Sequence, residues 1–237
     1  MSRQTPGDTP TPLGVPRRDL PAAHETTEVR RFAGGPPPSD VRTWFGVSAD
    51  DREERCDRYL VDQVADVGIK ERGGQTLELK VRRSVGPSID LGRGLRGTLE
   101  DWSKWSPADD VIDIPEQARC VSVIKEVSKR RFAVAGAELP VAAEPVAGCD
   151  VEVTHVMASG HVQAWSLADA AFGPEMTRRR ALHAAWRTLT KSGPVPAAIV
   201  HRLGGSMGYP QWLSQTIPIA LVLASAPAMP ACQESTT

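Results

Sequence analysis

Several segments of this chain alternate apolar and charged residues with a period of two, the pattern of a β-strand with two unlike faces. The longest such segment spans residues 68–82 and carries two consecutive glycines near its middle. The charged positions that share one face are Lys70 and Arg72 before the glycines, and Glu78, Lys80 and Arg82 after them. The pattern predicts a β-hairpin with an ordered charged side.

The register of this hairpin follows from its charged positions. For both charged faces to coincide, Arg72 must lie opposite Thr76, and Lys70 then lies opposite Glu78. This register leaves Gly73-Gly74-Gln75 as a three-residue loop. Such a loop favours glycine in the left-handed conformation, which has no steric cost for a residue without Cβ.

Strands and helices are predicted to alternate along the rest of the chain. The predicted strands are Thr26–Phe32, Asp57–Gln63, Cys120–Phe132, Asp150–Met157 and a short one around Glu138–Ala142. The predicted helical segments are Val41–Phe45, Ser48–Glu54 and Trp165–Lys191, the last divided at Gly173-Pro174. The stretch Ser84–Ala118 has no clear period and is predicted to be a long connection. Antiparallel strands with helices between and after them indicate the α+β class.

Charge also alternates with apolar residues in the other strands. The charged faces comprise Glu28 and Arg30, then Lys125, Lys129 and Arg131, then Asp150 and Glu152. One such strand is commonly solvated, so an interaction domain with charged strands facing water is one interpretation. Strands that mix Lys and Arg with carboxylates in four regions favour a barrel with a charged interior. Rows of Arg and Lys suit phosphate oxygens, and clustered carboxylates suit Mg²⁺ or Mn²⁺.

Composition narrows the possible partners. The 237 residues carry a formal net charge of −1, which argues against bulk binding to nucleic acid or an anionic membrane. The four cysteines are widely spaced, and reduced thiols in a cytoplasmic protein are expected. Residues 1–25 are predicted to be a disordered Pro-rich tail, 26–213 the folded domain and 214–237 an apolar tail. Prolines interrupt that last tail, and its uninterrupted apolar stretch Ile219–Ala226 is too short to span a bilayer.

In this order, the motifs resemble the CYTH-like, or triphosphate tunnel, superfamily. The matching residues are Glu28-Val29-Arg30, Asp57-Arg58-Tyr59-Leu60, Gly68-Ile69-Lys70-Glu71-Arg72, Glu78-Leu79-Lys80-Val81-Arg82, Val123-Ile124-Lys125, Arg131-Phe132 and Val151-Glu152-Val153. Each motif consists of a few common residues, and their order carries the resemblance. It covers roughly residues 26–172 and implies an eight-stranded antiparallel tunnel.

The resemblance also implies a function and roles for the charged residues. The expected activity is metal-dependent hydrolysis of a triphosphate-containing substrate, a small phosphate-rich molecule. Glu28, Glu78 and Lys80 would act in catalysis. The expected phosphate-binding residues are Arg30, Lys70, Arg72, Arg82, Lys125, Lys129 and Arg131. The expected ligands for Mg²⁺ or Mn²⁺ are Glu28, Glu78, Asp150 and Glu152.

One departure from the family pattern opens an alternative. The opening motif of the family is E-x-E-x-K, and the corresponding positions here are Thr26, Glu28 and Arg30. The change removes one carboxylate and replaces a compact ammonium with a planar guanidinium. A non-catalytic module that binds a phosphate or polyanion in the same fold is therefore the alternative function.

A second motif belongs to an unrelated enzyme class. Gly204-Gly205-Ser206-Met207-Gly208 matches G-x-S-x-G, the nucleophile elbow of α/β-hydrolases. That fold needs an acid and a histidine later in the chain, and no Asp or His follows Ser206. Tyr209-Pro210 also opposes the helix expected after the elbow. A glycine-rich loop is the favoured interpretation.

Overall fold

A computed structural model of the chain describes residues 23–48, 51–61, 64–74, 76–106, 114, 118–159, 162–191 and 193–217. The strands in these ranges are β1 (His24–Gly34), β2 (Glu53–Leu60), β3 (Val67–Arg72), β4 (Thr76–Gly92), β5 (Leu95–Trp105), β6 (Cys120–Ala133), β7 (Glu138–Leu139), β8 (Gly148–Ala158) and β9 (Val162–Phe172). The helices are α1 (Ser39–Phe45), α2 (Glu175–Leu189), α3 (Ala197–His201) and α4 (Tyr209–Thr216).

Eight strands form a closed antiparallel barrel. Their order is β2-β3-β4-β5-β1-β9-β8-β6, and pairing of β2 with β6 closes it. The two-residue strand β7 adds to the edge of β6. Because successive side chains point to opposite faces, each barrel strand has an inner and an outer row. The predicted α+β barrel with flanking helices is confirmed.

The register defines the two ends of the barrel. β1 begins where β9 ends, with Thr26 opposite Phe172, and Phe172 lies opposite Gly148 at the start of β8. We call this end the mouth. At the other end of the same strands, Phe32 lies on the inner row of β1 and stacks on Trp212 of α4. A position along a strand therefore fixes how deep its inner side chain lies.

The central hairpin has the predicted register. Arg72 lies opposite Thr76 and Lys70 opposite Glu78. Gly73 and Gly74 both have positive φ, 58° and 71°, as the three-residue loop requires. Gln75 lies outside the described residues. The charged side of this hairpin is the inner face of the barrel.

The predicted long connection Ser84–Ala118 is wrong over most of its described length. β4 continues to Gly92, and β5 returns over Leu95–Trp105. Register shifts interrupt their pairing, one of them between Val85 and Ser88. This bulge accommodates Gly86-Pro87, because the proline lacks the N–H that a regular ladder needs. The same two residues made the segment resemble a loop.

The predicted helix Trp165–Lys191 is correct only after Gly173-Pro174. Residues 162–172 form β9, and the helix is α2. Both rows of β9 are mostly buried, so the period-two signal is absent from its sequence. The inner row holds Ala164, Ser166, Ala168 and Ala170, which leave room for long charged side chains on neighbouring strands. The predicted helical turn Ser48–Glu54 is wrong at its end, since Glu53 already begins β2, and residues 49–50 lie outside the described residues.

The outer layer is anchored by a buried polar group on β9. The Asp169 carboxylate accepts a hydrogen bond from Trp186 Nε1 at 2.7 Å and one from the Arg31 guanidinium at 3.2 Å. Burial raises the pKa of Asp169 to about 6, although Arg31 and the bond from Trp186 act against this. Around these groups, the outer row of the barrel packs against α2 in the larger apolar core. The contact orients α2 on the barrel wall.

The segment before α4 is inserted beside β1. Gly204 N donates to Phe32 O at 3.0 Å, and Met207 N donates to Arg30 O at 2.8 Å. Ser206 Oγ accepts a hydrogen bond from Thr98 N at 2.9 Å. The G-x-S-x-G motif is thus a loop that bridges β1 and β5, as favoured from the sequence.

Helix α4 then fills the end of the barrel away from the mouth. Tyr209 makes an edge contact with Phe32 and stacks on Tyr59, which lies on the inner row of β2. Trp212 is 5% exposed and packs in an apolar cluster with Val121, Val123 and other inner residues. We call Tyr209 and Trp212, together with the helix that carries them, the plug. Helix α4 therefore closes this end of the barrel, and we call the charged interior between the plug and the mouth the pouch.

The remaining expectations concern the tails and the thiols. Residues 1–22 and 218–237 lie outside the described residues; β1 begins within the predicted N-terminal tail, and α4 extends into the predicted C-terminal one. Across the described part of the chain, no helix is long and apolar enough to cross a membrane. Cys120 and Cys149 are free thiols, but Cys56 is disulfide-bonded, so the expectation of reduced thiols is wrong for it.

Candidate functional site

The inner face of the pouch is highly charged. Among the described residues, its ten cationic side chains are Arg30, Arg55, Lys70, Arg72, Lys80, Arg82, Lys104, Lys125, Lys129 and Arg131. Its seven carboxylates are those of Glu28, Glu53, Asp57, Glu78, Glu100, Asp150 and Glu152. The charged strands therefore line an interior rather than face bulk water, and cations outnumber carboxylates.

Two clefts border the charged half of the pouch. At the mouth, a cleft of about 680 Å³ is lined by His24, Arg131, Asp150, Phe172 and Arg178, among others. A larger cleft of about 1390 Å³ lies beside α1 and reaches the inner residues Glu53 and Lys129. Both give access to the same charged surface, because Lys129 contacts Asp150 and Glu152 inside the barrel.

Lys80 and Glu28 form a close ion pair in the charged half of the pouch. Lys80 Nζ lies 2.6 Å from Glu28 Oε1 and 2.7 Å from Glu28 Oε2. Thr26 donates a further hydrogen bond to Oε1 at 2.7 Å, and Lys80 also lies 4.9 Å from the ring centroid of Trp102. Burial acts to raise the pKa of Glu28, but Lys80 and Arg30 outweigh it and the pKa is lowered.

Glu78 is shared by several cations. Lys70 Nζ lies 2.9 Å from its Oε2, and Lys104 Nζ lies 3.1 Å from its Oε1. Arg72 adds a longer contact of 3.5 Å. Burial opposes ionisation, but the two lysines prevail and lower the pKa of Glu78 to about 2. This carboxylate is therefore charged at neutral pH.

Lys125 and Asp57 form a buried pair at the boundary between the charged half and the plug. Lys125 Nζ donates to Asp57 Oδ2 and to the Tyr59 hydroxyl, both at 2.6 Å. The ammonium group also lies 4.0 Å from the ring centroid of Tyr209, a cation–π contact with the plug. Lys70 makes a second contact with Asp57 at 3.0 Å. The plug thus rests directly on the deepest charges of the pouch.

Two cations contact the carboxylate of Glu152, and Arg55 acts on it electrostatically from a greater distance. Lys129 Nζ lies 3.3 Å from Oε1, and Arg30 Nη2 lies 3.5 Å from Oε2. Burial acts to raise the pKa of Glu152, but Lys129, Arg30 and Arg55 together hold it well below its usual range. Arg55 itself pairs with other carboxylates: its Nη1 lies 2.7 Å from Glu53 Oε1, and its Nε lies 3.3 Å from Asp57 Oδ1 without an aligned hydrogen bond. We call Arg30, Arg55, Lys129 and Glu152 the cation cluster.

Glu53 pairs with Arg55 at 2.7 Å and with Arg72 at 2.9 Å, and two further pairs involve Arg131 and Arg82. At the rim, Arg131 forms a bidentate pair with Asp150, with both N–O distances at 2.7 Å. Deeper inside, Arg82 contacts Glu100, which also accepts a hydrogen bond from Trp102 Nε1 at 3.2 Å. Bidentate guanidinium–carboxylate geometry is strong and directional. These two arginines are consequently committed to protein carboxylates.

The four carboxylates expected to hold a metal do not form one group. No three His, Cys, Asp or Glu side chains in the described ranges are placed to hold an ion together. Glu28 and Glu78 are bound by lysines, and Asp150 and Glu152 by Arg131, Lys129 and Arg30. A metal ion needs carboxylate oxygens as ligands, and these oxygens face ammonium and guanidinium groups. The residues present do not fit the predicted Mg²⁺ or Mn²⁺ site.

The expected phosphate-binding residues all lie on the inner face, but other interior residues were missed. Those missed are Glu53, Arg55, Asp57, Glu100 and Lys104. Alternation in Glu53–Tyr59 would have indicated the first three, had β2 been started at Glu53. Glu100 and Lys104 lie in β5, within the stretch predicted to be a connection.

Comparison with known proteins adds no closer assignment. The sequence matches no protein-family model and no curated protein. Inference about function therefore rests on the barrel and its interior.

Proposed function

We propose that this barrel binds a small phosphate-rich anion in its charged pouch, without hydrolysing it. The observation that carries the proposal is the charge of the inner face, where ten cations and seven carboxylates lie among the described residues, with Arg30 and Lys129 in contact with Glu152. Arg55 pairs there with Glu53 and Asp57, and Lys129 with Asp150. The inner face as a whole keeps an excess of cations, which favours an anionic ligand, and Arg and Lys match phosphate oxygens. Membership of the CYTH-like superfamily is part of the proposal, supported by the eight-stranded barrel with inward charges.

Binding would proceed by exchange of partners. A phosphate group carries more charge than a carboxylate and presents several acceptor oxygens, so it competes with Glu152 for the cations that this carboxylate contacts. Arg55 Nε lies 3.3 Å from Asp57 Oδ1 without an aligned hydrogen bond, so a phosphate oxygen can compete for it as well. The Ser166 hydroxyl, 3.3 Å from Arg30 Nη1, supplies a neutral polar group at the same place. The low dielectric of the pouch strengthens each of these contacts.

The geometry supports binding better than metal-dependent hydrolysis. Hydrolysis of a triphosphate with Mg²⁺ or Mn²⁺ needs carboxylates free to hold the ion. Here Glu28 and Glu78 are each neutralised by lysines within 3.1 Å. Hydrolysis and a cytoplasmic location stay predictions from the sequence, and the experiment below separates hydrolysis from binding.

The test is titration calorimetry with inorganic triphosphate, with phosphate release measured on the same samples. Wild type is expected to bind triphosphate with an affinity that falls as salt is added, and to release no phosphate. Arg55→Gln is expected to weaken binding at least about tenfold, roughly 1.4 kcal/mol. Arg55→Lys keeps the charge and should retain most of the affinity.

The Glu152→Gln variant tests whether Glu152 competes with the ligand for these cations. Removing the internal competitor is expected to tighten triphosphate binding by about tenfold or more. Glu126→Gln is the matched control, because Glu126 lies on the outer face of β6 and pairs with Arg42 there. Metal-dependent phosphate release that Glu78→Gln and Lys80→Ala abolish would replace the binding proposal with hydrolysis. No triphosphate binding at low salt would overturn the proposal altogether.

A further inference from the structure

Two carboxylates face each other across neighbouring strands inside the pouch. Glu28 of β1 and Glu100 of β5 are register partners, and they are 6% and 4% exposed. Paired buried carboxylates of this kind either share a proton or bind a cation, because two adjacent negative charges repel strongly. In this chain the cations are side chains: Lys80 contacts Glu28, and Arg82 contacts Glu100.

The ammonium group of Lys80 occupies the chelating position of Glu28. Its distances to the two oxygens are nearly equal, 2.6 and 2.7 Å. An ion bound by both oxygens of a carboxylate lies at the same kind of position. The Trp102 ring lies beside both cations, 4.9 Å from Lys80 Nζ and 5.7 Å from the Arg82 guanidinium carbon. Lys80 is thereby fixed between an aromatic face and the carboxylate.

Ammonium groups also occupy the positions beside Glu78 that a metal ion would take. Its two oxygens are contacted by different lysines, Lys70 at 2.9 Å and Lys104 at 3.1 Å. Lys104 is also the register partner of Lys80 across β4 and β5. An incoming divalent cation would therefore approach ammonium groups on two adjacent strands before it reached a carboxylate.

We propose that the interior of this barrel binds no divalent cation, and that Lys80, Lys70 and Lys104 hold the positions a metal would take. The inference deepens the proposed function and rests on it for the ligand: the pouch neutralises phosphate oxygens with side chains alone. Its chemical basis is that fixed ammonium groups supply both positive charge and hydrogen-bond donors to phosphate oxygens, so the pouch can neutralise the anion without a metal ion.

The first test is titration with Mn²⁺, followed by the EPR signal of the free ion, with no anion present. Wild type is expected to leave the Mn²⁺ signal at the level of buffer, and Glu28→Gln is expected to behave in the same way. A wild-type site that binds Mn²⁺, and that Glu28→Gln or Glu78→Gln abolishes with unchanged circular dichroism, would overturn the inference.

The second test asks whether Lys80 is the residue that prevents a divalent cation from binding. Lys80→Met keeps an unbranched side chain against Trp102 but leaves Glu28 and Glu100 with one cation between them. This variant is expected to bind Mn²⁺, and Lys80→Met combined with Glu28→Gln is expected to lose that binding. If Lys80→Met does not fold, Lys80→Gln, which keeps a hydrogen-bond donor, replaces it. A folded variant that binds no Mn²⁺ would overturn the role of Lys80.

Failure of this inference can be distinguished from failure of the proposed function. Triphosphate is titrated into wild type in the presence of EDTA, beside the Mn²⁺ series. Binding in EDTA supports both proposals. Lack of triphosphate binding in EDTA, with restoration by Mn²⁺ and loss in Glu28→Gln, overturns the metal-independent site while leaving an anion-binding barrel. Lack of triphosphate binding in both media removes the proposed ligand, and the EPR titration still decides whether the interior takes a metal.

Discussion

Lys125 Nζ and Asp57 Oδ2 lie 2.6 Å apart inside the barrel, with side-chain exposures of 2% and 0%. Burial acts to lower the pKa of Lys125 and Lys70 adds to this effect, while Asp57 opposes both. Burying an ion pair gives little net stability, but removing one partner leaves an uncompensated charge in a place without bulk water. The pair therefore constrains which substitutions the interior tolerates.

We expect Asp57→Asn to lower the free energy of unfolding by about 3–5 kcal/mol, because Lys125 loses its carboxylate partner. Urea-induced unfolding measures this change. The control is Glu138→Gln, which breaks the Arg130–Glu138 pair at the surface, where Glu138 is 44% exposed. Its effect should stay below about 1 kcal/mol. Equal effects of the two substitutions would contradict the buried role of Asp57.

The ion pairs of Glu78 predict that the free energy of unfolding falls in acid. Despite its burial, Lys70 and Lys104 lower its folded pKa from the ordinary 4.5 to about 2. A depressed carboxylate pKa stabilises the folded state fully above the unfolded value, and that contribution disappears as pH falls from about 4.5 towards 2. The shift corresponds to about 3 kcal/mol.

The measurement for Glu78 is the free energy of unfolding as a function of pH, in wild type and Glu78→Gln. The variant should be less stable than wild type at neutral pH, and the difference should shrink as pH approaches 2. Glu126→Gln on the outer face serves as control. A difference between wild type and Glu78→Gln that stays constant over this range would show that Glu78 is not held ionised by its lysines.

The loop before α4 offers a matched pair of glycine substitutions. A Cβ on Gly208 would lie 2.6 Å from Trp102 Cζ2, whereas a Cβ on Gly205 would meet no atom within 4 Å. Trp102 is 1% exposed and cannot move aside without disturbing the interior. We expect Gly208→Ala to destabilise the protein by about 1–3 kcal/mol, as overpacking does.

Gly205→Ala should change stability by no more than about 1 kcal/mol. Thermal unfolding of both variants tests the comparison. A Gly208→Ala protein as stable as Gly205→Ala would show that the loop is not seated against Trp102. It would thereby also question how α4 enters the barrel.

The packing of the plug predicts that Trp212 contributes strongly to stability. Its ring stacks on Phe32 with centroids 4.7 Å apart, and it is 5% exposed. Trp212→Ala should therefore lower the free energy of unfolding by about 3–5 kcal/mol. The exposed Gln215 on the same helix provides the control substitution to Ala. If both variants unfold at the same urea concentration, α4 does not pack inside the barrel end.

How much of the fold could be predicted depended on how each strand is buried. Strands with one charged and one apolar face, such as β3 and the first half of β4, show their period in the sequence, and even their register was predicted correctly. β9 is apolar on both rows and was predicted as a helix, because period-two alternation exists only where the two faces differ. Gly86-Pro87 concealed the rest of β4, because a bulge can accept a proline that a regular strand cannot.

The candidate site shows the same division. The sequence by itself determined that Lys70, Lys80 and Glu78 share one face, because alternation along a strand is a local property of the chain. Only the tertiary structure decided which charges meet: Lys80 reaches Glu28 from β4 to β1, 52 residues apart, and Arg55 joins Arg30 around Glu152. Barrel closure and strand register set these distances, and neither can be read from any one segment. For the same reason the carboxylates predicted to share a metal pair with lysines and arginines instead.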